Sequence, residues 1–348
     1  MWLEKLCQRW LAGSAVGRRS PTPRRRGLRL TLEPLEDRIV PSTFTAASVS
    51  DLIADIKAAN AAGGANTITL VAGTTFNLTA VNNTTDGATG LPVIAANDNL
   101  SIVGNGAVIQ RSTASGMPAF RLFDVASGAS LALANLTLQG GLELPTVFVY
   151  ANGGYAGGGA IFNQGSLSLN AVTVQNNSVM EGGSFGGGID SAGGSLTLNA
   201  CTIQNNQAVG GDATAPGQIG GAAEGGGIYV FGSSASLTNV ILQNNSVSGG
   251  KGGPPEKFCN MYHKCHNYNP PGGNAAGGGM YVDGLNGGTV SLHNCIVTNN
   301  TANSPGGGEC GGGLAFTPNA EVCLDAFTVA NVTNNKPDNI CGSYTICP

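Results

Sequence analysis

GGIDSAGGSLTLNACTIQNN, the stretch from Gly187 to Asn206, decides the fold because its pattern recurs along the chain. A glycine cluster opens it, a short apolar run follows, two alternating runs come next, and an asparagine pair ends it. Further copies end at Gly141, Asn177, Asn245, Asn300 and Asn331. Self-similarity of this kind is typical of repeat architectures.

Three apolar columns appear when the copies are aligned, and each column takes one residue from every copy. The first column is leucine throughout: Leu133, Leu169, Leu198, Leu237, Leu292 and Leu324. The second column reads Leu136, Val172, Cys201, Val240, Cys295 and Phe327. The third reads Leu138, Val174, Ile203, Leu242, Val297 and Val329. Apolar and polar residues alternate around these columns, which predicts strands with one buried face.

Each copy holds about three such strands between tight Gly or Asn corners, and we interpret it as one coil. We therefore predict an all-β fold, a single-stranded right-handed parallel β-helix (a solenoid), over residues 67–335. Its coils stack about 4.8 Å apart. Residues 43–66 precede it, and a cysteine-containing tail, 336–348, follows it.

The paired asparagines are predicted to form corners and stacked amide ladders, because Asn tolerates left-handed backbone and its amide can pair with the coil above. Three of them, Asn176, Asn244 and Asn299, also lie in N-x-S/T patterns. Glycosylation is therefore an alternative interpretation. We favour the ladder, because the asparagine column follows the repeat.

The first 42 residues differ from the rest in charge. They carry nine Lys or Arg and four acidic residues, a net +5, which leaves −9 for the remainder of a chain of total charge −4. A basic head without an apolar core is typical of a leader or a disordered arm, processed or not. Nothing aromatic or repetitive accompanies its arginines, so we do not expect nucleic acid as a partner.

A short capping helix is predicted immediately before the first strand. In SDLIADIKAANAAG, Ser50 to Gly63, Ser50 can cap the helix and Gly63 can end it. The side chains of Leu52, Ile53, Ile56 and Ala59 share a face that would close the open end of the solenoid.

Insertions leave each coil at the same corner, between the asparagine pair and the next glycine cluster. They span residues 178–185, 207–224, 246–276 and 301–309. Stacked coils would set them side by side on one rim, which is often the binding face of a repeat protein. No run of 18 apolar residues occurs, so we expect no transmembrane segment.

The cysteines fall into two groups. Cys201 and Cys295 lie in an apolar column and are predicted to be buried free thiols. Six others are disulfide candidates, with Cys259–Cys265 and Cys341–Cys347 as our predicted pairs: Cys259, Cys265, Cys310, Cys323, Cys341 and Cys347. A metal site formed by Cys259, Cys265 and the neighbouring histidines is the alternative, but its spacing does not match structural zinc sites. We expect neither metal nor cofactor.

Binding residues are predicted on a stripe that follows the glycine clusters. If the preceding apolar residues point inward, Asp190, Tyr229 and Tyr281 point outward, where tyrosine rings can stack on sugars. Tyr262 and Tyr268, in the longest insertion, are predicted to contribute. The alternative interpretation, which we favour, is an aromatic ladder that stiffens the sheet or lies under the insertions.

Catalysis is left as an alternative. Parallel β-helices support polysaccharide lyases and glycoside hydrolases, but fold does not imply function. Glycoside hydrolysis needs two carboxylates facing one groove, and no such pair stands out in the repeats. We therefore favour a non-enzymatic protein and assign no catalytic residue.

Two resemblances point outside the cytoplasm. LRLTLEPLEDRIVPS, Leu28 to Ser42, resembles the leader motif of many planctomycete surface and secreted proteins, which implies export by a signal. The GGGI…SLTL…TIQNN pattern resembles right-handed parallel β-helix repeat proteins, in particular the passenger repeats of polymorphic outer membrane proteins. The resemblance implies an extracellular, cell-surface or outer-membrane-associated protein of adhesin type. Its rim loops and polar sheet face would bind a surface glycan or protein.

Overall fold

The computed structural model describes residues 41–145, 155–259, 261 and 264–347. The chain is an all-β parallel solenoid, as the repeats predict. Among the described residues, its largest sheet, the long sheet, has 16 strands. These are Ser42–Ala46, Gly64–Leu70, Thr75–Leu78, Asp98–Arg111, Ser130–Gln139, Ser166–Asn170, Thr173–Gln175, Ser195–Asn199, Thr202–Gln204, Ser234–Thr238, Ile241–Gln243, Thr289–His293, Ile296–Thr298, Glu321–Leu324, Val332–Thr333 and Thr345–Ile346.

Three smaller parallel sheets complete the coils. A seven-stranded sheet follows the glycine clusters, with strands Phe123–Val125, Ile161–Asn163, Ile189–Ala192, Ile228–Phe231, Met280–Asp283, Leu314–Phe316 and Ile340–Cys341. The first rim sheet comprises Leu142–Glu143, Ser178–Met180, Gln207–Val209, Ser246–Ser248 and Thr301–Asn303. The second rim sheet comprises Tyr155–Gly157, Gly183–Phe185, Ala223–Glu224, Ala275–Ala276 and Glu309–Cys310.

The predicted leucine column is confirmed residue by residue. Leu169 pairs with Leu133 on one side and Leu198 on the other, and the series continues through Leu237 and Leu292 to the last coil. All of these side chains are buried in one continuous hydrophobic core. Identical side chains from successive coils thus stack above one another, as the spacing of parallel strands requires.

The second and third columns depart from prediction in the last copy. Residues Ala326–Ala330 form an α-helix, in which Phe327 is 46% exposed and therefore does not join its column. Thr328 is buried instead, and its hydroxyl accepts a hydrogen bond from the backbone of Cys295 at 3.0 Å. The strand resumes at Val332, which pairs with Val297 and takes the place predicted for Val329.

The asparagine ladder is confirmed. Its rungs are the second residue of each pair, and Asn177, Asn206, Asn245 and Asn300 are fully buried. The Nδ2 of each rung donates to the Oδ1 of the next, for example Asn206 to Asn245 at 3.0 Å. The first residue of each pair takes the left-handed conformation, with φ of 55° at Asn176. The ladder therefore satisfies buried polar groups at a corner that would otherwise leave backbone unpaired.

The capping helix is confirmed at Val49–Ala62, where Leu52, Ile56 and Ala59 are buried. Its N-cap is Ser48 rather than Ser50, because the Ser48 hydroxyl accepts the hydrogen bond from the Asp51 backbone. Residues 43–66 are not helix alone. The strand Ser42–Ala46 precedes the helix and pairs in parallel with Gly64–Leu70, so the solenoid begins before residue 67.

The rim insertions are not irregular loops but contain β-strands. Each begins with a strand of the first rim sheet and ends with a strand of the second. Small side chains fill the space between these two sheets and form a separate core: Ala208, Ala223, Val247, Ala275 and Ala302. Backbone hydrogen bonds join the glycines around it, such as Gly221 to Gly211 at 2.8 Å and Gly250 to Gly221 at 2.9 Å. The insertions therefore stack with the coils that carry them.

The predicted disulfide Cys259–Cys265 is confirmed, and Cys201 and Cys295 are buried free thiols as expected. The pairing Cys341–Cys347 is wrong. The observed disulfides are Cys310–Cys341 and Cys323–Cys347. Neighbouring coils bring distant residues together, since Ala315 pairs with Cys341 and Cys323 pairs with Thr345.

The bond between Cys259 and Cys265 uses both thiols of the alternative metal site, so that ligand set is not available. His293, Cys323 and Cys347 also cluster, but their two sulfurs are bonded to each other. Within the described residues, no helix has the length and apolar character needed to span a membrane.

Candidate functional site

The predicted stripe exists as a column of paired residues in the seven-stranded sheet. Asp190 pairs with Phe162 on one side and Tyr229 on the other, and Tyr229 pairs with Tyr281. The expectation that this stripe is open to solvent is wrong. Asp190 is fully buried, Tyr229 is 6% exposed and Tyr281 is half-buried. Side chains of the second rim sheet lie against the stripe.

Four aromatic rings form a stack where the second rim sheet meets this stripe; we call this place the junction. Phe185, from the second rim sheet, has its ring centroid 4.8 Å from that of Tyr155 and 5.0 Å from that of Tyr229. Tyr229 and Tyr281 follow with centroids 5.7 Å apart and nearly parallel rings. The alternative interpretation, an aromatic ladder beneath the insertions, therefore describes Tyr229, whereas Tyr155 at the end of the stack is 53% exposed.

Asp190 is linked to this stack through the phenol of Tyr155, which donates a 2.5 Å hydrogen bond to its carboxylate. Burial raises the pKa of Asp190 to about 7, against the opposing effects of the Tyr155 hydrogen bond and the charge of Arg121. Burial, followed by the negative charge of Asp283, raises the pKa of Glu224 to about 7. The junction thus holds acids that are partly protonated at neutral pH.

A second group of buried charges surrounds Arg121. Its Nη2 lies 3.0 Å from Glu143 Oε1, its Nη1 donates to the Asp86 carbonyl at 2.7 Å, and its guanidinium carbon lies 5.0 Å from the centroid of the Phe162 ring. Burial raises the pKa of Glu143 to about 7 and that of Asp124 to about 6, although Arg121 opposes both shifts. Both oxygens of Asp124 lack a hydrogen-bond partner among the described residues.

The exposed end of the aromatic stack opens into a cleft of about 700 Å³ between the rim insertions. Tyr155 and Phe185 lie at this cleft together with Ile219, and the rest of its wall is mainly glycine backbone: Gly183, Gly220, Gly221, Gly272, Gly273, Gly306, Gly307 and Gly308. No charged side chain belongs to the described residues that line it. We call this site the rim cleft.

The glycine wall is a consequence of close backbone packing. A Cβ atom at Gly221 would stand only 2.0 Å from the carbonyl oxygen of Gly182, and one at Gly273 would stand 1.8 Å from that of Gly221. The N–H groups of Gly220, Gly221 and Gly273 already donate to neighbouring carbonyls, but a peptide carbonyl oxygen can accept a second hydrogen bond. The rim cleft therefore offers backbone acceptors beside an aromatic ring.

A shallower groove of about 540 Å³ lies on the polar face of the long sheet, near its last strands. Hydroxyl side chains line it at Thr289, Ser291, Ser343 and Thr345, and Tyr344 lies at its side. This groove is one of the concave surfaces on the predicted polar sheet face.

The sequence prediction located part of the rim cleft's surroundings. Asp190, Tyr229 and Tyr281 do lie together, behind the cleft, whereas Tyr268 lies on a separate hairpin with its ring edge-on to Phe258 at 6.3 Å. Tyr262 lies outside the described residues.

Sequence reasoning missed Tyr155, Phe185, Arg121 and Glu143. The signal for the first two was an aromatic residue directly before, or two residues before, a run of glycines, as in FGGG from Phe185. Arg121 and Glu143 have no comparable signal, because neither belongs to the repeated columns.

No known protein family matches this chain, and no curated protein is significantly similar to it in sequence. Its function is therefore argued from geometry.

Proposed function

We propose that the protein is an exported, non-enzymatic solenoid that binds a neutral glycan in the rim cleft. The observation that carries the proposal is the half-exposed ring of Tyr155 at a cleft whose wall is uncharged glycine backbone. Sugar rings present apolar C–H faces and many hydroxyls. An aromatic face beside backbone carbonyl acceptors complements both features.

The phenol of Tyr155 helps to hold its ring in place. Because this hydroxyl donates to Asp190, and the ring stacks on Phe185, the exposed face is presented by a fixed side chain. A side chain that is ordered before binding loses less conformational entropy when the ligand arrives. The rim cleft is therefore preorganised for stacking.

Export is part of the proposal. Three disulfides within the described residues fit an oxidising compartment, and the basic leader with its LEPLEDR motif fits a targeting segment. We propose a location outside the cytoplasm, at the cell surface or in the medium, with association to the outer membrane as the form implied by the repeat resemblance. Fractionation of the producing cells tests this; recovery in the cytoplasm alone would contradict it.

A glycan array with purified protein tests the cleft. We expect binding to neutral glycans that falls at least about tenfold in Tyr155→Ala, the size of effect that loss of a stacking ring produces. Tyr155→Phe keeps the ring and should retain most binding. The matched control is Tyr344→Ala in the long-sheet groove, which should bind as the parent protein does. If Tyr344→Ala loses binding and Tyr155→Ala does not, the glycan binds the polar sheet face instead.

A polysaccharide lyase or glycoside hydrolase is the second candidate, and the raised pKa values of Asp190 and Glu224 favour it. A carboxyl group with a pKa near 7 suits general acid catalysis. Asp190 is fully buried, however, which keeps a polysaccharide from its carboxylate. We expect no new reducing ends and no unsaturated products from mixed polysaccharides. Product formation that Asp190→Asn abolishes would establish the enzyme.

A further inference from the structure

A two-stranded antiparallel hairpin projects from the longest rim insertion. Its strands, Glu256–Cys259 and Cys265–Tyr268, pair only with each other among the described strands, and the disulfide Cys259–Cys265 joins them. Nearly every described side chain of these strands is exposed. A hairpin without a supporting layer is marginally stable in water, so the disulfide is what holds this one.

Large apolar side chains on this hairpin face solvent. Met261, beyond the first strand, is 86% exposed, Phe258 is 55% exposed and Tyr268 is 42% exposed. Phe258 and Tyr268 lie on one face, since Phe258 pairs with His266 and Glu256 pairs with Tyr268. Single exposed apolar residues are ordinary, but several on one projecting element indicate an interaction surface.

The hairpin carries a small net positive charge on an acidic protein. Lys257 and Lys264 lie in it together with one acidic residue, Glu256, whereas Lys251, just before it, lies 3.8 Å from Asp212. Arg121 is buried and Arg111 is half-buried, so neither adds a fully exposed charge elsewhere. The whole chain after residue 42, the hairpin included, carries a net charge of −9. The preferred partner is therefore anionic.

We propose that this hairpin docks on an anionic lipid surface. Met261 would enter the interfacial layer of the bilayer, with Phe258 and Tyr268 on one face of the hairpin and Lys257 on the opposite face, where it contacts headgroup phosphates. The combination of lysine with aromatic and other apolar side chains is the one that favours peripheral insertion at a negatively charged membrane.

The shape of the surface selects lipid over a soluble polyanion or an acidic protein. Met261 lies at a projecting position and lines none of the described clefts and grooves, whereas a glycan or peptide needs a concave site that encloses it. A bilayer accepts a convex, apolar projection without a matching pocket. The proposal is independent of glycan binding, because the rim cleft uses different residues.

Co-sedimentation of the full chain with vesicles tests the proposal. The vesicles contain phosphatidylglycerol and phosphatidylcholine in equal parts, and pure phosphatidylcholine vesicles serve as the neutral comparison. We expect binding to the anionic vesicles only, weakened by added salt because headgroup attraction is screened. Lys257→Gln should lower the partition coefficient about fivefold, the effect of one interfacial lysine.

Met261→Asp should lower the partition coefficient at least about tenfold, because it places a charge where an apolar group inserts. The matched control is Leu285→Asp, at an exposed leucine in a different loop, which should bind as the parent protein does. Both sites are exposed, and unchanged thermal midpoints would show that the variants fold.

Three outcomes would overturn the proposal. The first is that the parent protein does not sediment with anionic vesicles. The second is unchanged vesicle binding in both Met261→Asp and Lys257→Gln, which would assign binding to another basic segment such as the leader. The third is full competition by soluble heparin together with heparin binding by Met261→Asp equal to that of the parent protein, which would show that charge alone is recognised. Loss in both hairpin variants with retention in Leu285→Asp supports it.

Discussion

The coil interior and the rim lobe, which consists of the two rim sheets and the insertions that carry them, are both stacks of parallel strands, but they are held together differently. In the coils, aliphatic side chains such as Leu198 and Leu237 stack in one continuous core, and an asparagine ladder lines a corner. In the rim lobe, the core holds small side chains such as Ala223 and Ala275, and glycine backbones approach until no Cβ would fit. One region is packed by side chains and the other by main chain.

This difference assigns the two regions different tasks. A side-chain core excludes water and leaves no room for a ligand, so the coils serve as scaffold. A lobe of bare backbone with a small core buries less apolar surface and leaves peptide groups exposed in a cleft. Function is therefore expected at the rim, where the core is small. Three substitutions or conditions test this contrast.

The largest effect is expected for Asn245→Ala in the coil ladder. Asn245 is fully buried, accepts from the backbone and side chain of Asn206, and donates to the carbonyl of Ile203. Its loss leaves buried groups unpaired and should lower the free energy of unfolding by about 3 to 5 kcal/mol, measured by denaturant titration. Gln204→Ala, in the half-buried glutamine ladder, is the control and should cost less than about 1 kcal/mol. Equal costs would mean that the buried corner has no special role.

A smaller effect, confined to the rim, is expected for Gly221→Ala. The new methyl group would stand 2.0 Å from the Gly182 carbonyl oxygen, so the strands must separate at a cost of about 2 kcal/mol. Gly308→Ala lines the same cleft but meets its nearest atom, Asn274 Oδ1, at 3.4 Å, and should cost less than about 0.5 kcal/mol. Hydrogen exchange should show that the first variant opens the rim sheets and spares the long sheet. Opening of the long sheet as well would contradict the contrast.

A third effect, about 1 kcal/mol for each pH unit, is a dependence of stability on pH that arises where the coils meet the second rim sheet. The pKa of Asp190 is raised to about 7 in the folded protein, above about 4 in the unfolded chain. The stability it contributes is complete below pH 4 and is lost as pH rises to 7, at about 1 kcal/mol per pH unit. Thermal midpoints measured between pH 4.5 and 7 should fall, and Asp190→Asn should flatten the fall. A slope that Asp190→Asn leaves unchanged would assign it to other groups.

The sequence alone predicted the coils correctly, because the same apolar positions recur in every copy and stack on one another. A leucine in one copy predicts the leucine above it, since parallel strands stack without offset. The rule failed at Phe327, where a short helix inserts and shifts the strand to Val332. An insertion inside a copy changes the register without changing the apolar pattern, and the alignment of copies could not detect it.

The site was only partly predictable, because its contacts join segments with no fixed spacing. The stripe through Asp190 and Tyr229 follows from the repeat, but its burial depends on Phe185 and Tyr155, which lie on a different sheet. Likewise, Cys341 lies six residues from Cys347, yet it bonds to Cys310 because the preceding coil lies beside it. Proximity between coils outweighs proximity along the chain.

The two disulfides at the last coil have a mechanical consequence. Neighbouring coils touch only each other, so tension applied at one end of such a stack would normally peel coils away in succession. Here a pull on the final strand reaches the bond between Cys323 and Cys347, and then that between Cys310 and Cys341, before the coil can separate. The force is then carried by the two disulfide bonds and the backbone, so the strands of this coil are not pulled off one by one.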